Sequence, residues 1–194
     1  MKKIKLILIL CILSFTTLGI ILILQMTNSI NLFWNGFAVD EDGYLYIGKD
    51  SEIEVFDKDR FIKAIYPRTN RSYVFTIQSG NKIWIATSGW WDELDLNGNV
   101  LSEHEDSNGD KYNCIYKHRN EFQDINGKRY RLSNSFFRYK IYQLNKEGQS
   151  IEYYKMSLLD YIAKLLLVFS TIIIFIFSPY VIVQLRKNWE LFLT

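Results

Sequence analysis

Hydrophobic positions divide the chain into two long apolar ends and an alternating centre. Residues 6–26 and 165–185 are each 21 residues long without a charged side chain, about the length of a helix that crosses the ~30 Å hydrocarbon core of a bilayer. Neither segment has the polar face of a helix in a soluble core. Between them, short runs of alternating apolar and polar residues are typical of β-strands. The pattern predicts two transmembrane α-helices flanking an all-β domain.

Turn residues separate the strands of this central region. Asp-x-Asp-Gly and similar groups predict tight turns, because Gly and Asn tolerate positive φ and Asp accepts hydrogen bonds from the backbone that follows it. β-Branched and aromatic residues with period two flank these turns, as expected for strands. The predicted strands lie near 36–40, 44–48, 52–57, 61–66, 73–78, 82–87, 91–96 and 99–103, then near 113–118, 128–133, 138–144 and 150–155.

The strand pattern repeats along the chain. A shift of 38 positions places Phe37 on Phe75 and Tyr46 on Trp84, and a weaker third copy, 46 residues later, has Tyr130 in the place of Trp84. Roughly four strands in each unit of this length is typical of a propeller blade. We therefore expect Tyr46, Trp84 and Tyr130 to be buried at equivalent places in successive sheets.

Two stretches carry a resemblance to a known fold family. "FAVDEDGYLYIG…IEVFD" and "FTIQSGNKIWIAT…ELDLNGNVL" resemble blades of NHL-type and sensor-type β-propellers, well over 37–103 and poorly over 121–155. The resemblance implies an incomplete propeller-like arc of about three four-stranded blade units, near 37–66, 73–103 and 113–155. Closed propellers usually have four to eight blades. Such an arc is expected to curl into a small sandwich or irregular barrel, or to be completed by a second copy or another protein.

The placement of cations predicts the orientation in a membrane. Three lysines precede the first apolar segment, and Arg186 and Lys187 follow the second. Cytoplasmic loops carry an excess of Lys and Arg, so both termini are predicted to be cytoplasmic in a two-pass protein of the cell membrane. The alternative for the first segment is a cleaved secretory signal, although its apolar part exceeds the usual 7–15 residues. The predicted parts are a cytoplasmic N-terminus 1–5, a helix 6–26, an extracytoplasmic domain 27–157, a helix 158–185 and a cytoplasmic C-terminus 186–194.

Charge is unevenly distributed over the predicted domain. Residues 37–110 hold 15 acidic and 7 basic side chains, a net charge of −8, whereas residues 111–157 hold 4 acidic and 10 basic ones, a net charge of +6. Opposite blocks of this kind are either solvated faces or surfaces that promote association of two copies or contact with anionic lipid or wall polymer. Abundant Ile, Lys, Asn and Tyr indicate a bacterial source, and a nucleic acid is not expected as a ligand outside the membrane.

Two aromatic pairs are candidates for binding a partner. The pair Trp90-Trp91 begins six residues after Trp84, and the pair Phe136-Phe137 begins six residues after Tyr130. Either pair could present a platform for a sugar ring or a protein, and the alternative is a contact within the core or between blades. Because successive residues of a strand face opposite ways, one member of each pair is expected to be the more exposed.

The sequence offers little for a metal or cofactor. Asp106, Asn108 and Asp110 form the richest of the acidic turns and are a weak candidate site for calcium. Calcium takes six to eight oxygen ligands, whereas each of these turns supplies two or three side chains. The turns are therefore interpreted as structural, and no cofactor is expected.

Catalytic motifs are also missing from the sequence. It contains no G-x-S-x-G, H-E-x-x-H, P-loop or G-x-G-x-x-G, the short motifs that carry hydrolytic or nucleotide chemistry. The chain is therefore predicted not to be an enzyme. The predicted function is a membrane-anchored extracytoplasmic binding or assembly module that associates with itself or with another protein. The alternative is a sensor subunit that relays ligand binding across the membrane, and a propeller-type hydrolase or lactonase ranks third.

Overall fold

The computed structural model describes residues 2–27, 29–58, 60–68, 73–145 and 149–192. The chain divides into two compact units, one formed by residues 31–156 and the other by the two terminal segments. The predicted cytoplasmic ends lie partly outside the described residues, at position 1 and at 193–194.

The terminal unit consists of two helices that pack against each other, α1 (Lys2–Met26) and α3 (Leu158–Phe192). Both contain a segment long and apolar enough, by length and composition, to cross a membrane, namely Leu6–Met26 and Leu158–Gln184. Most of their large apolar side chains are exposed. The buried positions include small or polar residues on each helix: Cys11 and Ser14 on α1, and Ala163 and Ser170 on α3.

The unit formed by residues 31–156 contains three four-stranded antiparallel sheets, each with its strands in chain order. This architecture confirms the predicted all-β domain with blade-like units. The first sheet contains β1 (Gly36–Val39), β2 (Leu45–Gly48), β3 (Ile53–Asp57) and β4 (Arg60–Ile65). The second contains β5 (Val74–Gln78), β6 (Lys82–Ala86), β7 (Trp90–Leu94) and β8 (Val100–Glu105). The third contains β9 (Glu121–Gln123), β10 (Arg129–Ser135), β11 (Arg138–Leu144) and β12 (Ser150–Lys155).

The strand predicted near 113–118 is wrong, because these residues belong to a helix, α2 (Asp110–His118). Gly109 reverses the chain before this helix at φ 70°, a conformation that glycine adopts without steric cost. Tyr112 and Ile115 then lie three residues apart on one helical face and pack on the second sheet. Tertiary packing of that apolar face outweighs the β-propensity of the segment, and the third sheet begins instead at the unpredicted strand β9.

In the turn between the first two strands of the first sheet, an aspartate side chain stabilises the backbone that follows it. Asp40 Oδ1 accepts hydrogen bonds from the backbone N–H groups of Asp42 at 3.1 Å and Tyr44 at 2.8 Å. Asp124 accepts from the N–H of Lys128 at 2.8 Å in the corresponding turn of the third sheet. The carboxylates of the acidic turns are therefore used by the backbone that follows them.

The sheets are not stacked in chain order, because the first sheet lies between the other two. On one of its faces, Ala38 and Tyr46 pack with Phe75 and other residues of the second sheet. On the other face, residues such as Phe37 pack with Tyr130 and the rest of the third sheet. All residues of β1 and β2 are consequently buried.

The three aromatic anchors are not equally buried. Tyr46 and Tyr130 are buried as predicted, and their hydroxyls donate to the carboxylates of Asp40 at 3.1 Å and Asp124 at 3.4 Å. Trp84 is less buried than these two tyrosines. Tyr46 and Tyr130 each face another sheet, whereas Trp84 faces α2, and a single helix covers less of the ring.

Candidate functional site

The β domain contains a cavity with a volume of about 690 Å³. Its walls come from α2, from β5 and β6 of the second sheet and from β9 and β10 of the third. The outer face of the second sheet, where a further blade would pack in a longer propeller, is covered by α2. The cavity therefore lies between this helix and the third sheet, at the open side of the three-sheet stack.

Cationic side chains predominate among the charged residues that line the described part of the cavity. Lys111 and Arg119 come from α2 and the residue after it, and Arg129 and Arg131 come from β10. The wall residues include one carboxylate, Glu121, whose Oε1 lies 3.5 Å from Arg131 Nε. Four Lys and Arg side chains against one carboxylate give this part of the surface an excess of positive charge.

Two of these cations are positioned by aromatic rings. Lys111 Nζ lies 3.3 Å from the centre of the Trp84 ring and 4.6 Å from that of Trp91. Arg119 Cζ lies 3.4 Å from the centre of the Tyr116 ring. A cation over an aromatic face is attracted by the ring quadrupole, which holds the side chain in place without neutralising it. Both positive charges therefore stay available to a negatively charged ligand.

The floor of the cavity is apolar and aromatic. Phe37 and Phe75 are buried at its base, and the half-buried Phe122 lies beside them. Burial raises the pKa of the neighbouring Tyr130 far above its ordinary value, so its hydroxyl stays protonated as a donor to Asp124. A basic wall over an apolar floor fits a ligand that joins an anionic group to an apolar body.

The predicted pair Trp90-Trp91 lies on β7, outside the described lining of the cavity. Trp91 stacks on His104, with ring centroids 4.0 Å apart and planes 13° apart, and also contacts Trp84. Trp90 lines a separate, smaller cleft beside Arg68. Trp91 thus supports the ring that carries Lys111, while Trp90 lies at a different surface.

The predicted pair Phe136-Phe137 forms the turn between β10 and β11. Phe136 is 68% exposed and Phe137 is 40% exposed. The two rings contact each other, with centroids 5.8 Å apart. Neither is among the described residues that line the cavity, so the two aromatic pairs do not form one platform there.

The predicted calcium candidates Asp106, Asn108 and Asp110 lie in the loop before α2 and at its first residue. Asp106 is buried, and its Oδ2 accepts a hydrogen bond from the backbone N–H of Tyr112 at 3.1 Å. Among the described residues there is no group of three or more His, Cys, Asp or Glu that could hold a metal ion. Asp106 therefore has a structural role at the start of α2, and calcium binding in this loop stays a prediction.

Sequence reasoning did not single out the four cations of the cavity. The signal was present in the net charge of +6 over residues 111–157, which locates the basic region without selecting residues. The missing information was α2, because assigning 113–118 to a strand separates Lys111 from Arg119 in space. In the helix and the turn that follows it, both line one cavity wall.

Comparison with known proteins gives structural similarity alone. No family model and no curated protein sequence matches the chain. Solved structures that resemble it include a protein of unknown function from Bacteroides caccae, with 16% identity and a TM-score of 0.33, covering 64% of this chain and 46% of that one. A streptogramin B lyase has 17% identity and a TM-score of 0.36, covering 63% of this chain and 40% of that one. The virginiamycin B lyase of Staphylococcus aureus has 16% identity and a TM-score of 0.35, covering 62% and 41%.

These comparisons correct one prediction. The chain spans less than half the length of each of these three structures. Two of the three are lyases, so enzymes occur among the structures that resemble this fold. The prediction that the chain is not an enzyme rested on the absence of short catalytic motifs. It is wrong, because the absence of these motifs does not exclude enzymatic activity.

Proposed function

We propose that this chain is a membrane-anchored binding module whose β domain takes up a ligand carrying a phosphate or carboxylate group on an apolar body. The observation that carries the proposal is the cavity beside α2, with four cationic side chains above an aromatic floor. Charge-assisted hydrogen bonds from Arg and Lys to carboxylate or phosphate are stronger than neutral ones. Phenylalanine rings at the base supply apolar contact to the remainder of the ligand.

The membrane anchoring in this proposal rests on α1 and α3. Their exposed apolar side chains suit a lipid environment, since a water-soluble helix would expose polar ones. The excess of Lys and Arg at the two chain ends supports cytoplasmic termini and an extracytoplasmic β domain over residues 27–157. In this arrangement the domain is an incomplete propeller-like arc of the NHL or sensor type, and its open side is the ligand site.

A sensor function is the second candidate, and one observation favours it. Ser14 and Ser170 are buried in the unit formed by α1 and α3, and small polar residues allow close approach of transmembrane helices. Such a contact would change if ligand binding altered the packing of the two helices. A ligand-dependent change in the distance between spin labels on α1 and α3 would support the sensor over the simple binding module.

Binding of phenyl phosphate to the full chain in nanodiscs of uncharged lipid tests the proposal. Inorganic phosphate and phenol are the comparison ligands, because each lacks one half of the expected recognition. We expect phenyl phosphate to bind more tightly than either, and Arg119→Ala and Arg131→Ala each to weaken it about tenfold, the loss of one charge-assisted hydrogen bond. Binding should also weaken with added salt.

The matched control is Lys117→Ala, which removes one positive charge from an exposed position of α2 outside the described cavity lining. This variant should bind phenyl phosphate like the unmodified chain. Equal weakening by Lys117→Ala and Arg131→Ala would attribute binding to net charge and contradict a built site. Phenyl phosphate that binds no better than inorganic phosphate would contradict the role of the aromatic floor.

A further inference from the structure

The turn between β10 and β11 has an unusual sequence for its geometry. Ser135 pairs with Arg138, which leaves Phe136 and Phe137 as a two-residue hairpin loop. Both residues have positive φ, 48° and 66°. Two-residue loops of this kind strongly favour Asn-Gly, because positive φ strains a residue with a bulky side chain. The hairpin therefore keeps two phenylalanines where folding alone would favour other residues.

The two phenylalanine rings are unfavourable in water as well as strained in their backbone. Both rings are exposed, Phe136 more than Phe137, and they contact each other at the tip. Strained, solvent-exposed aromatic residues that do not contribute to a core point to a contact with another component.

The tip lies at the end of the β domain where the chain enters and leaves it. On the exit side, the backbone N–H of Met156 donates to the carbonyl of Tyr139 at 2.9 Å. On the entry side, the ring of Trp34 stacks on Tyr139, with centroids 5.2 Å apart. Residues 31 and 156 are the two ends of this unit. Both connections to the apolar helices therefore pass within a few residues of the Phe136-Phe137 tip.

We propose that the Phe136-Phe137 tip inserts into the interfacial region of the lipid bilayer and fixes the orientation of the β domain on the membrane. The proposal rests on the membrane anchoring proposed above. Because α1 ends five residues before the β domain begins at residue 31, and α3 begins two residues after it ends at residue 156, both ends of the domain must stay close to a bilayer that these helices cross. Phenylalanine side chains on the apolar face of an interfacial segment are buried at the boundary between headgroups and acyl chains.

Residues near the Phe136-Phe137 tip are also suited to contact with a lipid bilayer. Phe33, on the entry segment, is also an exposed aromatic residue. Lys155 is exposed and lies opposite Lys140, three residues from the tip, where Lys140 forms an ion pair with Glu152 at 2.6 Å. Cations beside an inserted apolar tip are attracted to anionic headgroups. The tip and its surroundings thus combine the apolar and basic groups of an interfacial anchor.

Depth-dependent fluorescence quenching of the full chain in vesicles tests this proposal. An NBD probe is attached to Ser135→Cys in a chain whose Cys11 and Cys114 are replaced by serine. The vesicles contain phosphatidylcholine and phosphatidylglycerol with a spin label at a shallow acyl position. We expect strong quenching at position 135. The control probe at Ile125→Cys, in an exposed turn at the opposite end of β10, should remain unquenched.

A second variant separates membrane contact from folding. Phe136→Asn with Phe137→Gly introduces the residues that the turn geometry favours, so the melting temperature should rise or stay unchanged. Quenching of the probe at position 135 should fall to the level at 125. Retained quenching with Asn-Gly, or no quenching in the original chain, would overturn the insertion of the tip.

Carbonate extraction and flotation of the same vesicles distinguish a tip that does not insert from a chain that is not anchored in the membrane. A chain that floats with the vesicles after carbonate extraction but shows no quenching at 135 is anchored without an inserted tip. A chain that carbonate releases from the vesicles contradicts the anchoring, and the tip proposal with it.

Discussion

The first and third sheets are copies of one repeat, yet their burial differs. Every residue of β1 and β2 is buried, whereas Tyr130 is the single buried residue of β10 and Ile141 that of β11. The first sheet is covered on both faces by other sheets, and the third on one face. The sheet in the middle of the stack is therefore buried on both faces, and the third sheet keeps one face that no other sheet covers.

Local sequence reflects this difference. Leu45-Tyr46-Ile47-Gly48 is apolar throughout, as in strands covered on both faces. The sequence Arg129-Tyr130-Arg131-Leu132 alternates, as in a strand with one solvated face. The alternation places Arg129 and Arg131 on the free face of the third sheet, where both line the cavity.

The largest expected contrast is between core and surface isoleucines of the two sheets. Ile47→Ala in the first sheet should lower the free energy of unfolding by about 2–5 kcal/mol, because it leaves a cavity in a fully buried site. Ile151→Ala, at an exposed position of the third sheet, should change it by less than about 0.5 kcal/mol. Chemical denaturation of the full chain in detergent micelles measures both. Similar losses would contradict the difference in burial.

A glycine tests how closely the first and second sheets approach. A Cβ added at Gly48 would lie 2.7 Å from Cε1 of the buried Phe75 ring, so Gly48→Ala should destabilise the domain by about 1–3 kcal/mol through overpacking. Gly89→Ala is the control, since a Cβ there meets nothing within 4 Å. Melting temperatures of the two variants give the comparison, and an unaffected Gly48→Ala would place the sheets further apart.

Two turn aspartates should respond to pH with opposite signs. Burial raises the pKa of Asp40 above its ordinary value, so its contribution to stability is present at low pH and is lost as pH rises through that raised pKa. Hydrogen bonds from Asn99, through its side chain and backbone, lower the pKa of Asp95. Its contribution is present near neutral pH and is lost as pH falls through that lowered pKa.

Unfolding free energies from pH 3 to 7 measure these contributions against the matched variants Asp40→Asn and Asp95→Asn. On acidification, the free energy of unfolding of the original chain should rise relative to that of Asp40→Asn. Relative to Asp95→Asn, it should fall. Slopes of the same sign would contradict the buried setting of Asp40.

The smallest expected effect is that of an exposed ion pair on the third sheet. Glu121 and Arg131 are both exposed, so Glu121→Gln should change the free energy of unfolding by less than about 1 kcal/mol. The same variant removes the carboxylate from the cavity wall and should tighten the binding of phenyl phosphate. Unchanged or weaker binding in a titration would show that Glu121 does not oppose the anion.

Features determined by local chemistry were predictable from the sequence. The strands of the first two sheets follow from turn aspartates such as Asp40 and Asp95, whose carboxylates accept backbone hydrogen bonds, and from period-two alternation. The pair Phe136-Phe137 was found through its spacing from Tyr130, which matches that of Trp90-Trp91 from Trp84, but its place in a turn and not on a strand was not predicted.

Features that depend on distant packing were not predictable in this way. The helix α2 forms because Ile115 packs against Val74 and Ala86 of the second sheet, a contact that the local pattern does not reveal. The position of the first sheet between the other two depends on contacts such as that from Tyr153 Oη to the carbonyl of Gly43, 110 residues apart and 2.7 Å long. The cavity depends on both features and was missed for that reason.

The third sheet packs on the first, and this packing leaves a basic cavity beside α2. Nuclear Overhauser contacts in the full chain in micelles, with selectively protonated aromatic rings, test it most directly. We expect contacts between Tyr154 and Phe56, whose ring centroids lie 5.5 Å apart, and between Tyr130 and the first sheet. Contacts from Tyr154 or Tyr130 to Trp84 of the second sheet, in place of those to the first, would contradict it.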